Sequence, residues 1–190
     1  MAREPVLVTA PTLPSVRPVE VRNQLLIHHR QHDNWLRNRI IAGTEEAENF
    51  TWSRFVTQTW KQYFDLFSDP MELRYPPLSS VASIQYIDSS GTTQTVASTV
   101  YELADDDGVG LVRLKYGQTW PTPRGHDDDV WITFVCGYGT PAEVPQTIKH
   151  AIILYTAHQW NNREGETPIP QAFYDLLRNY SYRRPRPVEA

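Results

Sequence analysis

The stretch RGHDDDVWITFVCGYG, residues 124–139, sets a histidine and three aspartates directly before an apolar run that holds the single cysteine of the chain, Cys136. Imidazole and carboxylate side chains are metal ligands, so a metal-dependent hydrolase built on His126, Asp127 and Asp129 is one chemistry these residue types allow. A metal needs ligands that converge, whereas adjacent residues entering a strand point alternately to opposite faces. The plainer expectation for 125–129 is a polar turn with its carboxylates facing water, because turns select Gly and Asp for backbone reasons. Cys136 is expected to be a small buried thiol. A reactive thiol needs a basic, accessible setting, and local sequence places no histidine to activate this one.

A second histidine group, HHRQH at 28–32, puts His28 and His32 at i, i+4 spacing, which on one helical face would grip a metal. No glutamate sits between them as in zinc hydrolases, and a solvated helix end is the expectation. DDDGVG at 105–110 has the look of a calcium loop until it is aligned. With Gly108 on that loop's glycine, Leu103 falls on the first ligand position and Leu114 where the bidentate glutamate belongs. There is no phosphate loop, nucleophile elbow or dinucleotide glycine fingerprint. Nothing here obliges an enzyme, a metal or a cofactor.

The C-terminal run RNYSYRRPRP interleaves Arg178, Tyr180, Tyr182, Arg183, Arg184 and Arg186. Tyrosine with arginine is the composition of interface anchors, which points to a protein partner; a frayed, soluble terminus is the alternative. Nucleic acid is the weaker reading, since the chain as a whole carries a formal net charge of -4 and a DNA-binding surface needs a basic excess.

The elements that must position these groups follow from composition and period. With 190 residues, 40% hydrophobic and 21% charged, the chain has the size and texture of one globular domain, with or without an insert. One cysteine excludes an intrachain disulfide, the opening residues show no secretion-signal apolar core, and no stretch reaches the roughly 20 apolar residues of a membrane span. These features predict folding in a reducing cytoplasm and no membrane. Residues 1–18, punctuated by Pro5, Pro11, Pro14 and Pro18, are expected to form an extended arm. Val21 and Leu25 then predict a short helix, and Asp33, Leu36, Ile40, Ala47 and Phe50 a longer one, with Gly43 and Thr44 as small residues between them.

From about residue 54 to 139 the pattern becomes that of strands. SRFVTQTWKQYFDLF alternates Phe55, Thr57, Thr59 and Lys61 against Val56, Gln58 and Trp60; further strands are predicted at 81–87, 92–96, 100–103, 109–115 and 130–138. With Gly and Asp turns and no helix between them, they imply an inserted antiparallel meander. The helical period returns at 145–180. Ile148, Ala151, Ile152, Tyr155 and Gln159 form one stripe, which Ile153 and Leu154 widen so far that the helix must be buried on more than one side, by its own domain or by a neighbour. A last helix carries Phe173, Leu176 and Leu177. The fold class expected is α+β, a helical core of two N-terminal and two C-terminal helices around a β-rich insert, in one domain over 19–180 with a basic aromatic tail at 181–190.

The order of DNWLRNRIIAGTEEAENFT, TQTW, YPPLSSVASIQYIDSSGTTQTV, VYEL, GQTWP, VWITFVCGYG, VPQTIKHAIILYTAHQWNNREG and IPQAFYDLLRNY resembles that of head-tail connector, or adaptor, proteins of long-tailed phages and gene transfer agents, in the type with a β-rich insert. The resemblance covers roughly residues 33–180 and lies in the order of the motifs. It implies a structural virion protein without catalytic residues, made in the bacterial host cytoplasm and located in the neck between head and tail. It implies a ring of twelve copies beneath the portal protein, extending the DNA channel without sequence-specific binding and offering a docking surface to a stopper or tail-terminator protein. It further implies that Arg178, Tyr180, Tyr182, Arg183, Arg184 and Arg186 contact the portal. An over-apolar helix carrying Ile148, Ile152, Tyr155 and Trp160 fits where ring subunits pack. The alternatives are the metal-dependent hydrolase on His126/Asp127/Asp129 or His28/His32, and a monomeric β-domain binding module presenting Trp and Tyr residues to a carbohydrate or peptide.

Overall fold

The computed structural model describes residues 3–106, 108–163 and 167–182. Its elements run β1 (Val6–Thr9), α1 (Pro18–Leu25), α2 (Asp33–Thr51), β2 (Gln58–Phe64), β3 (Met71–Glu72), β4 (Leu78–Ile87), β5 (Thr93–Thr95), β6 (Tyr101–Asp106), β7 (Val109–Leu114), β8 (Val130–Cys136), α3 (Gln146–Asn161) and α4 (Gln171–Leu177), with a closing 3-10 turn at Arg178–Tyr180. This is the α+β class that the sequence predicts. The chain divides into a helical unit, Pro11–Val56 with Tyr138–Ser181, and a β-rich unit formed by Thr57–Gly137 together with residues of the two termini.

In the helical unit, Pro18 sits at the first position of α1, where its fixed φ suits a helix, and the Glu20 carboxylate accepts the Arg17 N–H at 2.6 Å. The helix stops because Leu26 turns left-handed at φ 55 and the Ile27 N–H returns to the Arg22 carbonyl at 3.0 Å. The apolar stripe of α2 behaves as its period predicts: Leu36, Ile40 and Ala47 join Ile148, Ala151 and Ile152 of α3 and Phe173 and Leu177 of α4 in one core. Each fully buried Leu, Ile or Phe side chain in this core stabilises the fold by ~1.5–3 kcal/mol relative to exposure. Gly43 belongs to this core for a steric reason. A Cβ there would lie 2.6 Å from the Tyr155 Cδ1 atom of α3.

The β-rich unit holds a five-stranded sheet in the order β1-β2-β8-β4-β5 and a three-stranded sheet in the order β3-β7-β6, with every pairing antiparallel. The hairpins β4–β5 and β6–β7 follow one another along the chain; β8 then returns to the centre of the larger sheet, between β2 and β4. Its register with β2 runs from Gln58 opposite Cys136 to Phe64 opposite Val130. Val130, Ile132, Phe134 and Cys136 point to one face and are buried with Phe64, Ile84 and, from the smaller sheet's strands and their flanks, Met71, Leu73 and Val112. Gln62 shares that interior and is satisfied there, donating to the Glu72 carbonyl at 3.1 Å and accepting the Arg74 N–H at 3.0 Å.

The structure departs from the expected strand over 53–67 at its start. Phe55 and Val56 are buried in the helical core, and the Phe55 backbone is held by the Glu48 carboxylate at 2.9 Å and the Tyr138 N–H at 2.9 Å, so pairing with β8 begins only at Gln58. The alternation in SRFVT therefore reflects burial in a non-strand segment. β1, inside the segment expected as an extended arm, pairs along β2 as an edge strand.

Candidate functional site

Residues 124–129 form a turn in which Gly125 (φ 95) and Asp128 (φ 61) are left-handed. The expectation that all its carboxylates face water is corrected for Asp129. That side chain is fully buried and accepts from the Arg124 guanidinium at 2.8 Å and the His126 backbone N–H at 2.6 Å. Burial works against its charge, but the His126 N–H and the Arg124 guanidinium outweigh it and hold the carboxyl below the usual range. A carboxylate so occupied is a structural pin, with the Arg124 N–H also bonded to the Ile87 carbonyl at 2.8 Å. Asp128 pairs with Arg3 at 2.6 Å, while Asp127 and the His126 side chain are exposed. His126, Asp127 and Asp129 thus do not converge, and among the described residues no three His, Cys, Asp or Glu side chains are grouped to hold a metal. Cys136 is buried, as expected.

The i, i+4 pair His28 and His32 is not on one helical face, because α1 ends at Leu25 and α2 starts at Asp33. His28 is exposed. His32 lies edge-on to Trp160 at 5.0 Å between ring centroids, Trp160 is 5.4 Å from Trp35, and the Arg163 guanidinium stands 4.1 Å over Trp160. The histidine is part of an aromatic and cationic stack at the end of α3, an arrangement of packing and cation–π contact.

Of the α3 residues expected where subunits pack, Ile148 and Ile152 are fully buried and Tyr155 nearly so, all within the core of the helical unit itself. Burial also pushes the Tyr155 hydroxyl pKa up. Trp160 is half-buried, its ring engaged by His32, Trp35 and Arg163. In the tail, Arg178 is exposed and paired with Asp175 at 3.1 Å, Tyr180 packs against the helical core, and Tyr182 lies against Gly108 in the β6–β7 turn. Arg183, Arg184 and Arg186 fall outside the described residues.

What residue-by-residue reading missed is a surface. The pairing register of the larger sheet places Val6, Lys61, Thr133 and Ser83 in one cross-strand row and Tyr63, Trp131, Gln85 and Thr95 in the next, on the face turned away from the buried one. The second row is knitted together: Tyr63 and Trp131 rings are 6.2 Å apart, and Trp131 Nε1 donates to the Gln85 side chain at 3.1 Å. In these two rows Lys61 is the one charge, and its ammonium lies 5.9 Å from the Tyr63 ring and 5.7 Å from the Trp131 ring. Neither aromatic packs against either core cluster. Beside them the edge strand β1 leaves Val6, Leu7 and Val8 at 55%, 43% and 53% exposure. The signal was present as alternation in β2 and β8, but the face it belongs to is defined only by register.

Comparison with solved structures supplies the architecture's relatives. A chain in the neck of an empty gene transfer agent particle, computed with C6 symmetry, superposes with a TM-score of 0.82 at 18% identity, over 96% of this chain and 97% of that one. The same coverage holds for a chain in the virion of a native gene transfer agent particle (TM-score 0.80, 20% identity) and one in the neck of a native particle computed with C12 symmetry (0.77, 20%). This chain has the fold of a gene transfer agent neck subunit. The likeness takes in both units and nearly the full length of each partner in the comparison. The sequence itself matches no protein-family profile and no curated protein. No helix among the described residues is long and apolar enough to cross a membrane.

Proposed function

We propose that this protein is a head-tail connector: a structural subunit of a virion neck that assembles with copies of itself into a ring beneath the portal protein, continues the DNA channel and presents a docking surface to a stopper or tail-terminator protein. The observation that carries this reading is the whole-length correspondence with chains from gene transfer agent necks, in particles computed with C6 and C12 symmetry. The residue chemistry supports it. Among the described residues no three His, Cys, Asp or Glu side chains are grouped to hold a metal, and Asp129 is occupied by Arg124. A ring of twelve is the copy number that the C12 relative suggests. DNA passes such a ring best where phosphate contacts are few, and a chain of net charge -4 is suited to that.

In this reading Arg178, Tyr180 and Tyr182, continued by Arg183, Arg184 and Arg186, attach the subunit to the portal. Tyr180, at the start of this segment, packs against the helical core. Ile148, Ile152 and Tyr155, expected at subunit packing, are taken up by the core of their own helical unit and hold α3 in place there; of that set only the half-buried Trp160 keeps surface to offer a neighbour. Mass photometry of the full chain mixed with its portal protein tests the proposal: a complex of ring mass on each portal is expected, and persistent absence of any portal complex overturns it.

A further inference from the structure

Resting on the connector reading, we propose that the outer face of the five-stranded sheet, together with the uncovered edge strand β1, is the surface on which the next copy of this chain docks in the ring. An exposed edge strand presents unpaired backbone groups, and natural proteins protect such strands with lysine, proline, a bulge or brevity. β1 keeps three consecutive aliphatic residues more than two-fifths exposed and has no charge within Val6–Thr9; its four-residue length, the preceding Pro5 and the bulge at Leu7/Thr9 limit strand pairing at this edge but leave the aliphatic side chains uncovered. Val6 is continuous with the outer face through its pairing with Lys61. Lys61 apart, the two central rows of that face are uncharged, aromatic and hydroxyl-rich, and depletion of charge with Tyr and Trp at the centre marks the core of a protein interface.

The chemistry selects among occupants. A phosphate backbone would need a row of cations, and the two central rows offer only Lys61, already seated over two rings. A second copy fits on symmetry and on size. A closed ring made from one repeated contact must join two different patches of the same subunit, so each copy needs an apolar surface that its own core leaves uncovered. Five strands at ~4.8 Å spacing and seven residues at ~3.4 Å give a footprint of roughly 24 by 24 Å, on the order of 600 Å². That is short of the ~800 Å² per partner of a stable complex. Free subunits therefore stay apart, and the contact closes where a portal holds neighbours at high effective concentration.

Two substitutions test this without touching the buried face: Val8→Lys on the edge strand and Thr133→Arg on β8. Each is mixed with the portal protein and examined by mass photometry and negative-stain electron microscopy, with thermal melting as the check on folding. Portal bearing single or few subunits, and at least a tenfold loss of closed rings, is expected for both. Closed rings at wild-type yield in both variants overturn the inference. A wild-type chain that forms no portal complex overturns the connector reading instead. Hydrogen exchange on the wild-type chain reads the same surface without mutation: the edge-strand residues 3–10 gain protection in the ring over the free subunit, and unchanged exchange there in an assembled ring counts against the assignment.

Discussion

Gly43→Ala sets two effects of known size against each other in the middle of α2. Replacing a mid-helix glycine by alanine favours the helix by ~0.5–1 kcal/mol, chiefly through the unfolded chain's lost freedom. At this position the new methyl would meet Tyr155 Cδ1 at 2.6 Å and Cγ at 3.1 Å. Those atoms are near the root of the side chain, so a small rotamer adjustment does not clear them. Tyr155 is itself buried, with Phe173 5.6 Å away between ring centroids. Overpacking of this kind costs ~1–3 kcal/mol. The net expectation is a loss of up to ~2.5 kcal/mol, read as a lower urea midpoint at unchanged slope in far-UV circular dichroism. The same change made in a Tyr155→Ala background should be stabilising, because the clash is gone and the helix gain remains. The helix gain cancels in the cycle, which then yields a coupling of ~1–3 kcal/mol between the two positions. A Gly43→Ala protein more stable than wild type, or one equally affected in both backgrounds, refutes the steric argument.

Other expectations are more local. The Asp88 carboxyl, held down to about 2 by the Ser90 hydroxyl, the Gln94 amide and the Thr92 N–H, has a folded pKa below its unfolded value near ~3.9. Its contribution to stability is present above about pH 4 and is lost as pH falls toward the folded value, so Asp88→Asn should flatten this part of the acid-denaturation profile; an unchanged profile argues against it. Removing residues 181–190 should leave the chain folded yet weaken portal attachment at least ~tenfold in biolayer interferometry, since Arg and Tyr residues that act as hot spots are each worth ~2 kcal/mol or more. Unaltered attachment would reject the tail as the portal contact. Cys136 should react with a thiol reagent only as fast as the sheet opens, accelerating with urea; rapid, stoichiometric labelling in native buffer would contradict its burial.

The sequence made the helices legible because their period is carried by side chains of one kind. Leu36, Ile40 and Ala47 are spaced to share a stripe, and all three are core residues. β8 was legible for the same reason, with Val130, Ile132, Phe134 and Cys136 alternating into the interior. Pairing was not, because strand alternation states which residues share a face and leaves the partner strand open. The return of β8 between β2 and β4 is decided by long-range contact. Segment 53–56 has the pattern of a strand without being one, because alternation and aromatic content describe any chain buried on two sides, and Phe55 joins the helical core instead of the sheet. Asp129 was placed in water on the strength of its turn, since the sequence does not state that Arg124, five residues earlier, folds back over it.

Chains of 18–20% identity superpose on this one over 96% of its length, which separates what the fold requires from what this surface carries. Folding needs the buried half of each period and a few special positions, such as Gly43 beneath Tyr155 and the Arg124–Asp129 pin. It makes no demand that the opposite face of β2 and β8 be poor in charge, and solubility favours the reverse. A lone exposed aliphatic residue is ordinary on a protein surface; three in succession on an edge strand, adjoining a face whose Tyr63 and Trp131 touch neither core, are not. Stability of the single subunit does not account for them. The proposed ring contact would, and under that proposal this face and the tail have separate tasks: the tail attaches each copy, and the sheet joins one copy to the next.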